Sequence, residues 1–213
     1  MPKVYFYKLT VDDGGAPCVE HESLSLALCK PMIRSTAAVD DLILGFAANC
    51  LHTDNRLLYV ARVNDKLTDG EYFKAPKYAG RSDCIYEWKA GAFAPRHGAK
   101  YHGSSTDLVH DLGEHPKYAR ASTLLSWEFC YFGSSGSDAY KSAFAGIAKA
   151  VAALKQGHRV HHDPKLMADL GRLAKWSCSL DGVCIQGKPT SKPNRHASHR
   201  GGGCGVAEPK CNC

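Results

Sequence analysis

Apolar positions follow two regimes along this chain. The first 63 residues carry short aromatic and β-branched runs, and helical spacing begins only after residue 138. Val4-Tyr5-Phe6-Tyr7 opens a predicted strand, Val4–Leu9, closed by a turn at Asp12-Asp13-Gly14-Gly15. Leu24-Ser25-Leu26-Ala27-Leu28-Cys29 stops at Pro31 and is too short for periodicity to decide between a strand and a brief helix. Leu42–Ala47, preceded by Asp40-Asp41, and Arg56–Val63 predict two adjacent strands joined through a polar loop at His52–Asn55. Leu124–Phe132 predicts a further strand, ended by Gly133-Ser134-Ser135-Gly136. Between residues 65 and 122 the alternation dissolves into Gly, Pro, Tyr, His and Arg, which predicts a long loop region rich in groups that read a ligand.

Late in the chain the period changes. Tyr140, Phe144, Ile147, Val151 and Leu154 predict a helix capped by Asp138 and stopped at Gly157. Asp163-Pro164 is a cap followed by a first-turn proline, and Leu166, Leu170 and Leu173 give the second helix its apolar face, with Trp176 near its end. From Ser177 onward Gly, Pro, Ser, Lys and His predict no packed structure. The expected organisation is therefore one α+β domain over residues 1–176 and a flexible, basic, Cys/Gly-rich tail over 177–213.

Charge sharpens that division. Of the net +6, residues 187–213 supply +4, leaving the body too nearly neutral to argue for a phosphate-gripping surface. No run approaches the roughly 20 apolar residues of a membrane span, and the first predicted strand follows the initiator at once, so the expected location is the cytoplasm, with no membrane. In that compartment Cys18, Cys29, Cys50, Cys84 and Cys130, scattered singly, read as buried thiols. Cys178, Cys184, Cys204, Cys211 and Cys213 crowd the end beside His196 and His199, and they are the candidate ligands for zinc, although their spacing matches no standard module.

Familiar catalytic signatures are missing: no phosphate loop, no dinucleotide fingerprint, no nucleophile elbow and no His-Glu-x-x-His. What remains is a set of polar constellations. Lys30 and Arg34 lie four apart and share a helical face that suits phosphate or carboxylate; a solvated basic edge is the competing reading. Arg81-Ser82-Asp83-Cys84-Ile85-Tyr86 joins a cation, a carboxylate and a phenol, as a salt bridge or as a base-reading set. His102, Asp107, His110 and Asp111 permit a metal site or a proton-transfer pair. His158-Arg159, directly after Gly157, aims at an anion or completes a helix C-terminus.

Leu26–Arg34, Val39–Phe46, Leu58–Val63, Arg81–Tyr86, Phe129–Gly133 and Gly157-His158-Arg159, in that order, resemble the nucleotide modification associated domain family of the second type over about residues 3–176. The resemblance implies work alongside enzymes that make or handle modified DNA bases, with modified DNA or nucleotide and other DNA-modification proteins as partners; it carries no defined reaction. The middle of the chain also looks like PUA-like barrels such as EVE and ASCH domains, with Asp40-Asp41 where those barrels usually place Gly-Asp. The expected fold is then a curved mixed sheet or a PUA-like β-barrel with C-terminal helices packed on it. The leading expectation is a pocket that recognises a modified base or nucleotide through Lys30, Arg34, Arg81, Tyr86, Tyr131, Phe132 and Arg159. The alternatives are an enzyme modifying a nucleobase or nucleotide, with Asp83, His110, Asp111 and His158 as acid–base candidates, and a non-catalytic interaction protein.

Overall fold

The computed structural model describes residues 2–155, 157–177 and 182–190. Strands β1 (Val4–Leu9), β2 (Cys18–Glu20) and β3 (Ser23–Leu26) lead into a short helix, α1 (Pro31–Thr36). Strands β4 (Leu42–Ala47), β5 (Leu57–Arg62) and β6 (Asp65–Leu67) precede α2 (Glu71–Lys74) and a single 3-10 turn at Pro76–Tyr78. The hairpin β7 (Tyr86–Lys89) and β8 (Ala92–Pro95) comes next, then α3 (Ser105–Leu112), β9 (Thr123–Ser126) and β10 (Phe129–Tyr131). The chain ends in α4 (Tyr140–Ala143), α5 (Ala145–Ala153), β11 (His158–Arg159), α6 (Pro164–Ser177) and β12 (Val183–Ile185).

A mixed six-stranded sheet, in the order β11-β1-β4-β5-β10-β12, forms the middle layer. β1 and β4 run parallel, β4 and β5 antiparallel, as the two neighbouring apolar runs predicted. Alternation along β1 explains the layering. Val4 and Phe6 face α4, α5 and α6 together with Leu44, Phe46 and Val60, while Tyr5, Tyr7 and Leu9 face the opposite core. Each fully buried large apolar side chain contributes about 1.5–3 kcal/mol. That opposite core is closed by α1 and by a four-stranded sheet, β2-β3-β9-β6, which contributes Leu24, Leu26 and Leu124. A third core, built around Tyr72, Phe73, Tyr86, Phe93, Leu112 and Tyr118, lies under the β7–β8 hairpin.

Several expectations change here. The fold is α+β, but the sheets stay open and do not close into a PUA-like barrel. The predicted strand Leu124–Phe132 divides between two sheets, because Asn64 Oδ1 accepts the Trp127 and Glu128 amides at the bend. Residues 65–122 are not a long loop: α2, α3 and the hairpin organise them around aromatic rings that give no strand or helix period. Asp138 caps no helix through its side chain, and the predicted helix is interrupted at Phe144. The Asp163 cap does form, accepting the Leu166 amide at 2.9 Å. Beyond Ser177, where no packing was expected, Val183–Ile185 pairs in parallel with β10. No helix among the described residues is long and apolar enough to cross a membrane.

Candidate active site

β3 does not run directly into α1. Ala27 and Leu28 are buried in the third core, and the chain then turns through two consecutive left-handed residues, Cys29 (φ 53°) and Lys30 (φ 42°), before Pro31 opens the helix. Side chains with a Cβ adopt such backbone at a cost of roughly 1–3 kcal/mol each and keep it where surrounding contacts enforce it, often at functional sites. One enforcing contact is plain: the Cys29 amide donates to Asp111 Oδ1 at 2.9 Å.

Asp111 comes from the last turn of α3. A capping box fixes the start of that helix, with the Ser104 side chain accepting from the Asp107 amide and Asp107 accepting from the Ser104 amide. This sets the rotation that turns Asp111 inward, where its side chain is fully buried. Besides the Cys29 amide, Asp111 accepts the Tyr86 hydroxyl (2.9 Å) and His102 Nδ1 (2.6 Å), both at Oδ2, and His110 Nδ1 lies 3.7 Å from Oδ1. Burial by itself raises this carboxyl; the His102 hydrogen bond, the nearby His110 and the Arg34 charge outweigh it and hold the pKa well below the ordinary value.

His102, itself at positive φ, completes the arrangement. With Nδ1–H committed to Asp111, Nε2 is left as the acceptor, and it lies 3.7 Å from Cys29 Sγ. Thiol, imidazole and buried carboxylate thus stand in the order that activates a nucleophile: a base in reach of the thiol and a third group orienting the base. The Cys29 residue keeps 5% exposure and the His102 side chain 11%, so the pair sits at the edge of the interior.

The residues expected to line a pocket occupy different places. Arg34 is fully buried and donates to four backbone carbonyls: Cys29 (2.7 Å), Asp111 (2.7 Å), Arg120 (2.8 Å) and Ser122 (2.6 Å). It shares no open face with Lys30; it ties the segment holding the thiol to the segment holding the carboxylate. Tyr86 is buried with its hydroxyl on Asp111, and Tyr131 is buried with its hydroxyl on Asp12 at 2.8 Å, so neither ring is open for stacking. Phe132 packs on the helix side of the main sheet.

Arg81 and Asp83 form a second buried network, 3.6 Å apart. Asp83 accepts from Ser25 Oγ and Tyr72 Oη at 2.6 Å each, and Arg81 donates to Tyr72 Oη, Ser23 Oγ and Ser25 Oγ as well as to the Glu20 and Cys18 carbonyls. Burial raises the Asp83 carboxyl. Every partner belongs to the β2–β3 hairpin or to α2, so this network anchors one to the other. Of the acid–base candidates, Asp111 and His110 meet at the site, Asp83 is in the separate network, and His158 lies on β11.

Across the inner face of the main sheet, cross-strand register aligns His158, Tyr7, Gly45, Tyr59 and Tyr131 in one row. A Cβ on Gly45 would lie 2.2 Å from the Tyr59 ring, so glycine there lets Tyr59 lean across to meet the Tyr7 hydroxyl at 2.8 Å. The Lys30 ammonium lies over the Tyr7 ring, 5.1 Å from its centroid. His158 is thus on the same face as Lys30, whereas Arg159, paired with Phe6, is on the other and donates to the His161 carbonyl at 3.0 Å.

Cys29, His102 and Asp111 also offer ligand atoms within 4.8 Å of one another. Zinc takes three or four protein ligands. Asp111 is engaged by three donors, one of them His102 Nδ1, an arrangement that suits proton transfer between Sγ and Nε2. Of the cysteines expected to hold zinc, Cys184 accepts from Gln186 Nε2 at 3.3 Å, while Cys178, Cys204, Cys211 and Cys213 lie outside the described residues. Sequence reasoning counted Cys29 among the buried thiols and saw His102 only as part of a loose His/Asp spacing. The usable signal was a cysteine placed immediately before Lys-Pro at a strand-to-helix junction.

No curated protein and no solved structure matches the chain. The nucleotide modification associated domain 2 family matches residues 1–195, a span that holds every site residue described above and reaches past β12. The chain belongs to the nucleotide modification associated domain 2 family.

Proposed function

We propose that the protein is a cysteine-nucleophile enzyme acting on a nucleotide or nucleobase in DNA-modification chemistry, by transfer or hydrolysis of an acyl-type group. The observation that carries this reading is the Cys29 Sγ–His102 Nε2 approach of 3.7 Å, with His102 Nδ1 held by buried Asp111 at 2.6 Å. In the reaction the thiol proton passes to His102 Nε2 as sulfur bonds to the electrophilic carbon of an amide or ester. His102 then returns that proton to the departing amine or alcohol. Water or an acceptor amine, giving up its own proton to His102, displaces the acyl group from sulfur and regenerates the thiol. Asp111 fixes the tautomer and stabilises the imidazolium without itself taking the proton.

The nucleotide part of the reading comes from family membership, and the thiol part from geometry. The thiol part is tested by the rate at which iodoacetamide alkylates Cys29, followed across pH by mass spectrometry of the Cys29 peptide. Wild type is expected to react well below the ordinary thiol range near pH 8.5, and His102→Ala to lose that reactivity while still unfolding cooperatively in urea, at a lower midpoint because buried Asp111 loses a partner. A Cys29 that alkylates like a free thiol, or no differently in His102→Ala, overturns the reading.

A further inference from the structure

We propose that Lys30 and His158 form an anion subsite beside Cys29, so that the substrate presents a phosphate or carboxylate next to its reacting carbon. This deepens the function proposed above and depends on the same thiol. Four features of the molecule support it.

Lys30 directly follows the nucleophile, and its direction is set by left-handed backbone held between Cys29 and the fixed ring of Pro31. Its ammonium is drawn inward over the buried Tyr7 ring. Among the described residues it makes no ion pair with a carboxylate, although other buried or half-buried cations do: Arg62 with Glu128, Arg81 with Asp83 and Arg96 with Glu87. Register places His158 directly across from Tyr7, the residue under the Lys30 ammonium, with its ring 5.9 Å from that of Tyr5.

Two nitrogen groups of potential like charge therefore share the Tyr7 face of the main sheet, one of them carried by the residue next to Cys29. Burial, and then the Lys30 charge, lower the His158 pKa, so the pair is close enough to repel. An anion between them relieves that repulsion and receives donors from both. Arg159, on the opposite face, takes no part.

The test compares alkylation of Cys29 by anionic iodoacetate and by neutral iodoacetamide at neutral pH, in wild type, Lys30→Gln and Lys30→Arg. Loss of the Lys30 charge also changes the general reactivity of the thiol, but it changes both reagents alike, and the rate ratio isolates the subsite. The iodoacetate-to-iodoacetamide ratio is expected to fall by about tenfold in Lys30→Gln, the size of one hydrogen bond to a charged group, and to be kept in Lys30→Arg. An unchanged ratio overturns the subsite while leaving the nucleophile intact. Failure of the nucleophile itself shows separately, as slow labelling by both reagents in wild type. Protection of Cys29 by deoxythymidine 5′-monophosphate but not by thymidine assigns the anion as phosphate, and protection by succinate assigns it as carboxylate. Equal protection by thymidine, or protection by neither anion, overturns the proposal.

Discussion

Arg34 Nη2 donates to the Asp111 carbonyl oxygen at 2.7 Å, and Nε of the same guanidinium donates to the Cys29 carbonyl at the same distance. One buried side chain thereby fixes the separation between the nucleophile and the carboxylate that orients its base. Burial lowers the Arg34 pKa, and the Asp111 charge is the main influence opposing it. Lysine at this position carries the charge but has no planar fork to span four carbonyls. Arg34→Lys is expected to cost at least about 3 kcal/mol through unsatisfied buried acceptors, seen as a Tm lower by roughly 6–12 °C. A variant that melts like wild type would show that the guanidinium is not what binds these segments together.

Asp111→Asn asks for more than a change of charge. Three donors reach the carboxylate, and an amide offers one oxygen while turning an NH2 toward the others. The imidazole is expected to lose its tautomer, and Cys29 alkylation near neutral pH to fall by roughly 100-fold or more. Stability should change with a definite sign. Because the folded carboxyl is held below its ordinary value, its contribution is present above the unfolded pKa and is lost as pH falls. Wild type and Asp111→Asn should therefore converge in urea midpoint under acid conditions and diverge near neutrality. Parallel curves would remove Asp111 as the electrostatic hub.

The difference between what the sequence disclosed and what it hid has a physical cause. β1, β4, β5 and α6 were legible because alternation, β-branching and the Asp163-Pro164 cap are local signals. Asp111 and His110 were legible as candidates because carboxylate and imidazole side chains fall close together at His102, Asp107, His110 and Asp111. Cys29 and His102 are 73 residues apart, and their meeting is made by the left-handed turn before Pro31, which no hydrophobic period encodes. Arg34 and Tyr86 were expected to line a pocket, and both are buried against the segments that carry Cys29 and Asp111. Residue type shows that a guanidinium or a phenol is present, but only burial shows that Arg34 faces carbonyls and Tyr86 faces Asp111.

Asp12 supplies a pH test independent of the thiol. Its carboxyl is buried and pushed up to about 6, chiefly by burial, against the Tyr131 hydrogen bond and with Asp13 adding to the rise; among the described residues its Oδ1 has no hydrogen-bond partner. A raised folded pKa means that its contribution is fully present below the unfolded value and is lost as pH rises through about 6. From 3.8 to about 6 is close to two units, an upper bound of roughly 3 kcal/mol. Asp12→Asn keeps an acceptor for Tyr131 and cannot ionise. In urea unfolding it is expected to match wild type at about pH 4 and to exceed it by up to about 3 kcal/mol at about pH 8. A constant difference across that range would show that Asp12 is not the titrating group.

The edge strand β12 decides where the folded unit ends. Phe129, Cys130 and Tyr131 pair with Val183, Cys184 and Ile185, and the Gln186 amide donates to the Tyr131 carbonyl at 2.9 Å. Farther along, the Ser134 amide donates to the Lys188 carbonyl, and Thr190 donates to the Asp12 carbonyl through both its amide and its hydroxyl. A Cβ on Gly187 would lie 2.1 Å from the Phe132 carbonyl oxygen, so the backbones meet there with no room for a side chain. A chain ending at residue 176 loses all of these bonds and leaves the β10 edge unpaired, which costs stability and invites association between copies. Residues 1–190 are therefore expected to melt higher than residues 1–176 and to stay monodisperse at concentrations where the shorter chain aggregates. Equal melting temperatures and equal solubility would mean that β12 decorates the sheet without holding it. The Tyr131–Asp12 contact, and with it the polar row through Tyr59 and Tyr7, would then have to be secured from β1 and β5 alone.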